Sequence, residues 1–442
     1  MKKYILLFVF VIVTCNGLFA QDKSAFQINS ASKNTLITNL CKTLNRNYVY
    51  PEKAKSMIEF LVQQNVKGIY DSLRNENELA NRVTKDLRSI YGDKHLRIDY
   101  NPELEKEILE FLSSKKGSKK ITSEDIEIDK KKNFHFRKVE ILSSNIGYIE
   151  LNGFAVPSQS TSKTIHAAMQ LVANTDALII DLRNNFGGNG KVTGEILGYF
   201  FSAKTLTGRS FNRIENKWTD EYVKNSNDLV LNMPIYLLTS HRTFSAAESF
   251  AYNLQNLKNA VIIGENTRGG AHLTRSFSLG NGFVGFIPFM RGENVITKTD
   301  WEGTGVIPIF KVEEEYSLAA AKTKILEAKL SKAKSDDEKR QINYLINYSK
   351  SKNTKFNPDL SVISSFVGEY EYFEVTLKDN QVHFMDKKNH KMPIKTKAIT
   401  DTLYQIEDDY QIEFVMDEKG KCTAFKMYWD DGYEETILKN KK

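Results

Sequence analysis

Ser245 has the clearest setting for chemistry in this sequence. It stands in LLTSHRTFSAAESFAYNL (residues 237–254), where an apolar strand-like run meets an apolar helical run. Ser-x-x-Glu at such a join is a capping-box signature, with Ser245 and Glu248 satisfying free amides of the first helical turn. The same place suits a nucleophile. A helix N-terminus supplies unbonded N–H groups and the positive end of a dipole, so the Ala246 amide is a candidate to hold an oxyanion. A second candidate loop is DLRNNFGGNG (residues 181–190), which follows the strand-like ALIID and opens a helix. Its glycines leave the amides of Gly187 and Gly188 free to face a ligand. The loop fails the dinucleotide pattern, with Thr193 where the third glycine belongs, and it fails the phosphate-loop pattern at Asn185. No cofactor and no metal are therefore expected. A hydroxyl on one strand-end loop and open amides on another suit acyl transfer.

A serine hydroxyl needs a base. Of seven histidines, His135 and His383 alternate within strand-like runs, His166 lies in a helical run and His390 in a lysine-rich turn; these read as structural or solvated. His241 and His272 flank the two loops, and His95 in YGDKHLRIDY stands where a helix gives way to a strand. Residue physics leaves the choice among these three open.

The elements that must position these groups follow from hydrophobic periodicity. After residues 1–20, residues 21–100 read as a helical N-terminal domain, with LITNLCKTL, EKAKSMIEFLVQQ and ELANRVTKDLRSIYG at helical spacing and Pro51 opening a helix where a missing N–H is harmless. Residues 101–133 are a charged helix and linker. Across 134–314 short strands (IGYIEL, ALIIDL, IYLLT, AVIIGE) alternate with helical runs, which predicts an α/β domain with a parallel or mixed sheet whose ligands sit at the carboxyl ends of strands. Residues 315–361 form a polar helix and linker, and 362–442 a small antiparallel β domain.

Composition limits the function classes. The chain of 442 residues carries a net charge of +7 from scattered lysines with no basic stripe interleaved by aromatics, which argues against nucleic acid. It begins MKKYILLFVFVIVTCNGLFAQDK, a basic and then apolar leader of secretory type with cleavage expected after Ala20; lipidation through Cys15 ranks second. No later run is long enough to span a membrane, so the expectation is an exported protein, periplasmic or extracellular. Cys41 and Cys422 then remain, too few for a disulfide framework.

Residues 134–312 resemble the catalytic domain of the tail-specific, or C-terminal processing, serine peptidases, whose core resembles the crotonase-like fold. IGYIELNGF, ALIIDLRNNFGG, IYLLTSHRTFSAAESFA, VIIGENTRGGA and GTGVIP carry the resemblance in order. It implies that Ser245 is the nucleophile and that Gly187 or Gly188 supplies an oxyanion amide. One branch of the family uses a lysine base where this chain has Gly270, which excludes a Ser-Lys dyad. The other, similar to the tricorn core protease and interphotoreceptor retinoid-binding protein, has a helical N-terminal domain ending in Asp-x-His, which YVYPEKAKSM and YGDKHLRI resemble. That similarity implies His95 as base and Glu302, in WEGTGV, as its acidic partner, with Glu248 as rival orienter. No segment between 100 and 134 fits a PDZ domain.

The implied function is an exported serine endopeptidase acting on a peptide or protein substrate, with activity rising through a histidine pKa of roughly 6.5. A non-catalytic binder of an apolar, retinoid- or lipid-like ligand and an esterase on the same groups are the alternatives.

Overall fold

The computed structural model describes residues 29–113, 121–225, 228–353, 356–389 and 393–440. The leader with Ala20 and Cys15, and His390, lie outside them.

Among the described residues, three helices come first: α1 (Ser30–Asn47), α2 (Pro51–Val66) and α3 (Glu76–Ile90). Asn29 and Asn75 cap α1 and α3 through their side chains, and Pro51 opens α2. Their apolar faces meet around Leu40, Leu44, Met57, Leu61, Val83 and Leu87. This core also takes in Leu279, Phe283 and Ile287 from far along the chain. The reason lies in β1 (Arg97–Tyr100), which pairs with a later strand. Two helices, α4 (Pro102–Ser113) and α5 (Ser123–Lys130), lead on to the central layer.

That layer is a six-stranded mixed sheet. Its members are β2 (Phe136–Leu142), β3 (Ile146–Leu151), β4 (Ala177–Asp181), β7 (Ile235–Thr239), β8 (Val261–Gly264) and β11 (Phe310–Lys311), in the order β11-β8-β7-β4-β3-β2. All neighbours are parallel except β2 and β3. ALIID and IYLLT are buried at every position, as parallel strands covered on both faces require. Helices α6 (Gln159–Leu171), α7 (Gly190–Gly198) and α8 (Ala246–Lys258) supply Ile165, Ile196, Phe250 and Leu254 to its main core, and α9 (Ser317–Leu330) packs Ala321 and Ile325 into a second cluster with Ile179, Leu238 and Ile263.

A second sheet joins the two halves of the chain. It contains β5 (Thr205–Asn212), β6 (Lys217–Val223), β9 (Leu273–Gly280) and β10 (Phe283–Asn294) in the order β1-β10-β5-β6, with β9 also on β10. β1 pairs antiparallel with β10, Arg97 opposite Phe286 and Tyr100 opposite Phe283.

After α10 (Asp336–Asn353) and a short helix α11 (Leu360–Ser364), nine strands β12–β20 between Gly368 and Leu438 form two antiparallel meanders. Gly368–Tyr370 begins the first, and the Asn440 amide donates to the Glu369 carbonyl at 2.9 Å, bringing the end of the second back to it. Aromatic rings fill the interior, with Phe366 stacked on Phe414 at 3.9 Å. Cys41 and Cys422 are both free and belong to different cores; the Cys422 sulfur lies 3.2 Å from the Tyr370 hydroxyl.

His135 departs from its expected strand. Asn133, Phe134 and His135 all have positive φ, forming a left-handed turn just before β2. Asp129 holds this turn through His135 Nε2 at 3.0 Å and also accepts the Val156 amide at 2.7 Å.

Candidate active site

The adjacent strands β3, β4 and β7 deliver three loops at their carboxyl ends, where open parallel sheets place ligands. The loop after β7 is tied to the one after β4: Thr243 Oγ1 donates to the Leu182 carbonyl at 2.8 Å, Ser240 Oγ to the Arg183 carbonyl at 2.6 Å, and the Phe244 amide to the Asn185 carbonyl at 3.0 Å. Asn185, fully buried, donates from its side chain to the Leu151 carbonyl at 2.9 Å and accepts the Gly187 amide at 2.9 Å. Asn185 thus fastens all three loops, two through its side chain and the third through its backbone carbonyl.

Ser245 occupies the turn into α8 with φ 56° and ψ −118°. Non-glycine residues rarely adopt such backbone, and strained residues concentrate at functional sites. Gly187 and Gly188 come close to it. A Cβ added to Gly187 would lie 3.0 Å from Ser245 Cβ, and one added to Gly188, where φ is +138°, would lie 2.2 Å from the Phe154 carbonyl oxygen. Bulk is therefore forbidden at both positions. Of the three amides named from the sequence, that of Gly187 is already taken by Asn185.

Glu248 is buried and bonds the turn together. Its carboxylate accepts the amides of Ser245 (2.9 Å), Gly269 (2.6 Å) and Gly270 (2.9 Å) and the Thr267 hydroxyl. It fixes the 267–270 loop against the start of α8 and does not orient a histidine. Burial raises its pKa against these bonds, which lower it.

His95 enters from the first segment. Its ring stacks on Phe244, the neighbour of Ser245, with centroids 4.4 Å apart and planes at 28°. It also lies against Gly270, where an added Cβ would meet His95 Cε1 at 2.6 Å and Phe244 Cε2 at 2.2 Å. The space a longer residue would need at 270 is filled by the imidazole. The Asp93 carboxylate accepts the His95 amide at 3.0 Å and so fixes the turn that carries the ring. His95 Nδ1 is buried without a hydrogen-bond partner, and so is Glu302 Oε1.

A cavity of about 470 Å³ opens at Ser245, Ala246 and Gly188, bounded by His272, Trp301, Tyr222 and Arg291 among others. Larger hollows of about 760 Å³ beside the C-terminal strands and about 920 Å³ along α4 include neither Ser245 nor a histidine in their walls.

Residues 145–312 match the model of peptidase family S41, and residues 25–131 match the N-terminal domain of that family in eukaryotic IRBP. The chain belongs to peptidase family S41. This S41 chain is 29% identical over 168 residues to the chloroplastic carboxyl-terminal-processing peptidase 2 of Arabidopsis thaliana, covering 38% of this chain and 32% of that one. It thus spans about a third of the length of that relative. Among solved structures it is similar to the photosystem II D1 C-terminal processing protease (14% identity, TM-score 0.41, 64% of this chain and 94% of that one). It is similar also to the tricorn protease (14%, TM-score 0.40, 64% and 34%).

In this S41 chain, Ser245, Gly187, Gly188, Ala246, Glu248, His95 and His272 gather around one turn. His241 does not join them; it is exposed and paired with Glu265 at 3.0 Å. Glu302 is close to His272 rather than bonded to His95. It accepts the amides of Ala271 (2.6 Å) and His272 (3.3 Å) and lies 3.5 Å from His272 Nδ1. Burial, then the charge of Asp93, pushes its pKa up to about 7. Burial drives His95 down to about 4, against the pull of Asp93, so the roughly 6.5 expected from the residue type alone is corrected. Asp93 itself, assigned no role by the sequence reading, accepts His272 Nδ1–H at 2.7 Å and the Tyr48 hydroxyl at 3.0 Å. Its signal was present in the Asp-x-His spacing.

Asp93, His272 and Glu302 bring donor atoms within 4.8 Å of one another. The 2.7 Å between Nδ1 and the Asp93 oxygen is a hydrogen bond, shorter than the ~3.3 Å separating two ligands of tetrahedral zinc. The trio is a hydrogen-bonded charge network.

Proposed function

We propose that this chain is an exported serine endopeptidase working from a crotonase-like core. Ser245 Oγ attacks the peptide carbonyl, and His95 accepts the hydroxyl proton and returns it to the leaving amine. Its Nδ1 is buried, which leaves Nε2 for the hydroxyl. The tetrahedral oxyanion is held by the amides of Gly188 and Ala246, each donor of this kind being worth about 10²–10³ in rate. The carboxylates of Asp93 and Glu302 balance the charge that His95 gains.

One observation carries the reading: a serine held in strained backbone at a strand-to-helix turn, with open amides beside it and an imidazole stacked on its neighbour. In other hydrolases a nucleophile on a sharp strand–helix turn is presented in this way. Export rests on the leader. No helix among the described residues is long and apolar enough to cross a membrane.

A fluorophosphonate probe should label the wild type and fail on Ser245→Ala; equal labelling removes Ser245 from the mechanism. Ester hydrolysis would use the same groups, so parallel peptide and ester assays assign the substrate class. Binding of an apolar ligand without catalysis would leave Ser245 unreactive toward the same probe.

A further inference from the structure

His272 is the second imidazole of the site, and the mechanism above gives it no task. It is 2% exposed, and three separate chain segments meet around its ring. The turn before β1 brings Asp93, whose Oδ2 lies 2.7 Å from Nδ1. The turn after β10 brings Glu302, whose Oε2 lies 3.5 Å from the same nitrogen. The side chains of Asp93 and Glu302 are 0% and 5% exposed. Tyr50 packs edge-on against the ring at 5.4 Å. The far nitrogen, Nε2, is buried without a partner.

Two carboxylates removed from water so close together cannot both ionise unless a cation lies between them. The other charged and titratable groups around the ring do not fill that role. Tyr48 is bonded to Asp93, and Tyr50 and Tyr91 are neutral phenols whose pKa burial raises further. Asp300 adds another negative charge. Arg88 donates to the carbonyls of Lys94 and Leu96, Arg268 lies over Phe244, and Arg291 is paired with Glu293 and lies over Tyr50. His95 is desolvated and neutral over most of the working range. Among the described residues, the ring standing between both carboxylates is His272.

Resting on the Ser245–His95 reading, we propose that His272 is a positioning residue that stays an imidazolium, bridging Asp93 and Glu302 so that both remain charged when His95 takes the serine proton. Burial alone would lower the pKa of this ring; the bond to Asp93 and the charges of Asp93, Glu302 and Asp300 outweigh it and raise it. With His272 positive, both carboxylates keep their charge, and that of Asp93 raises the His95 pKa more than the charge of His272 lowers it. Without it, the carboxylate pair takes up a proton and that support weakens.

The test has two arms. In the first, kcat and KM of His272→Gln are followed from pH 5 to 10 on a peptide substrate. Loss of a cation this close raises a carboxylate pKa by about 1 to 3 units. The acid limb should move up by that amount, with kcat at least tenfold lower at pH 7 and recovery toward pH 9. An equal loss at every pH, with the limb unmoved, overturns the proposal. The second arm requires neither catalysis nor a variant that folds: NMR of wild-type protein labelled with ¹⁵N-histidine reads the state of the ring whose Nδ1 proton is shifted downfield by its short bond. A protonated Nε2 at pH 7 to 8 supports the proposal, and a bare Nε2 overturns it. Fluorophosphonate labelling run alongside tells this result apart from failure of Ser245 as nucleophile.

Discussion

The backbone of Ser245 allows strain and chemistry to be separated by two substitutions. Ser245→Ala and Ser245→Gly both delete the hydroxyl, and they differ only in a Cβ held at φ 56° and ψ −118°. Holding a side chain in such a region costs about 1–3 kcal/mol. Glycine relieves this, but its freer unfolded chain takes back about 0.5–1 kcal/mol. The glycine variant should therefore be the more stable by roughly 1 kcal/mol, and by ~2 kcal/mol at the upper end. Urea unfolding of the two proteins side by side reads the difference, which corresponds to about 2–4 °C in Tm per kcal/mol for a cooperative unit of 150–250 residues. Both variants should be inert to fluorophosphonate. An alanine variant as stable as the glycine one would refute the reasoning. The turn would then be a relaxed one, and the bonds from Glu248 and Asn185 would not be forcing the serine into an otherwise unfavourable geometry.

Gly270→Ala places a methyl against His95 and Phe244 and should lower kcat/KM by about 10² through displacement of the base, measured on the same peptide; unchanged kinetics would show that the imidazole does not work from this position. Asn185→Ala leaves the Leu151 carbonyl without its side-chain donor and frees the Gly187 amide, which should lower unfolding free energy by about 1–3 kcal/mol for each buried group left unpaired, read by urea denaturation. The proposed mechanism needs Glu302 ionised and His95 neutral. With Glu302 lifted to about 7 and His95 held near 4, kcat/KM should rise as pH increases through about 7. Glu302→Gln has no proton to lose there; it should flatten that rise, leave the limb to His95 at lower pH, and lower kcat by roughly 10²–10⁴.

Ser245, the glycine loop and the alternation of strands and helices could be read from the sequence because each rests on local chemistry: a capping pattern, an unobstructed backbone, a run of buried apolar residues. Gly270 was informative through the family resemblance, because it stands where one branch has a lysine. The acidic partners were less legible. Asp93 and Glu302 belong to turns separated by about 200 positions, and only the pairing of β1 with β10 brings them to one ring. His272 carried no local mark beyond its nearness to a glycine loop. The pKa of His95 was out of reach, since it depends on desolvation and then on the charges of Asp93, His272, Arg268 and Arg88, which no spacing records. The left-handed turn at Asn133–His135 was hidden for a similar reason: Asp129 holds it by a bond that alternation of residue types does not foreshadow.

β1 belongs by sequence to the helical segment and by hydrogen bonding to the sheet of β10, while Leu279, Phe283 and Ile287 fill the helical core in return. Each half of the molecule has thus lent the other a piece of its interior. A fragment cut at residue 134 would leave an apolar face wet and carry a nucleophile with no imidazole from the first segment, so switching such a chain off by swinging its front part aside would require unzipping a strand.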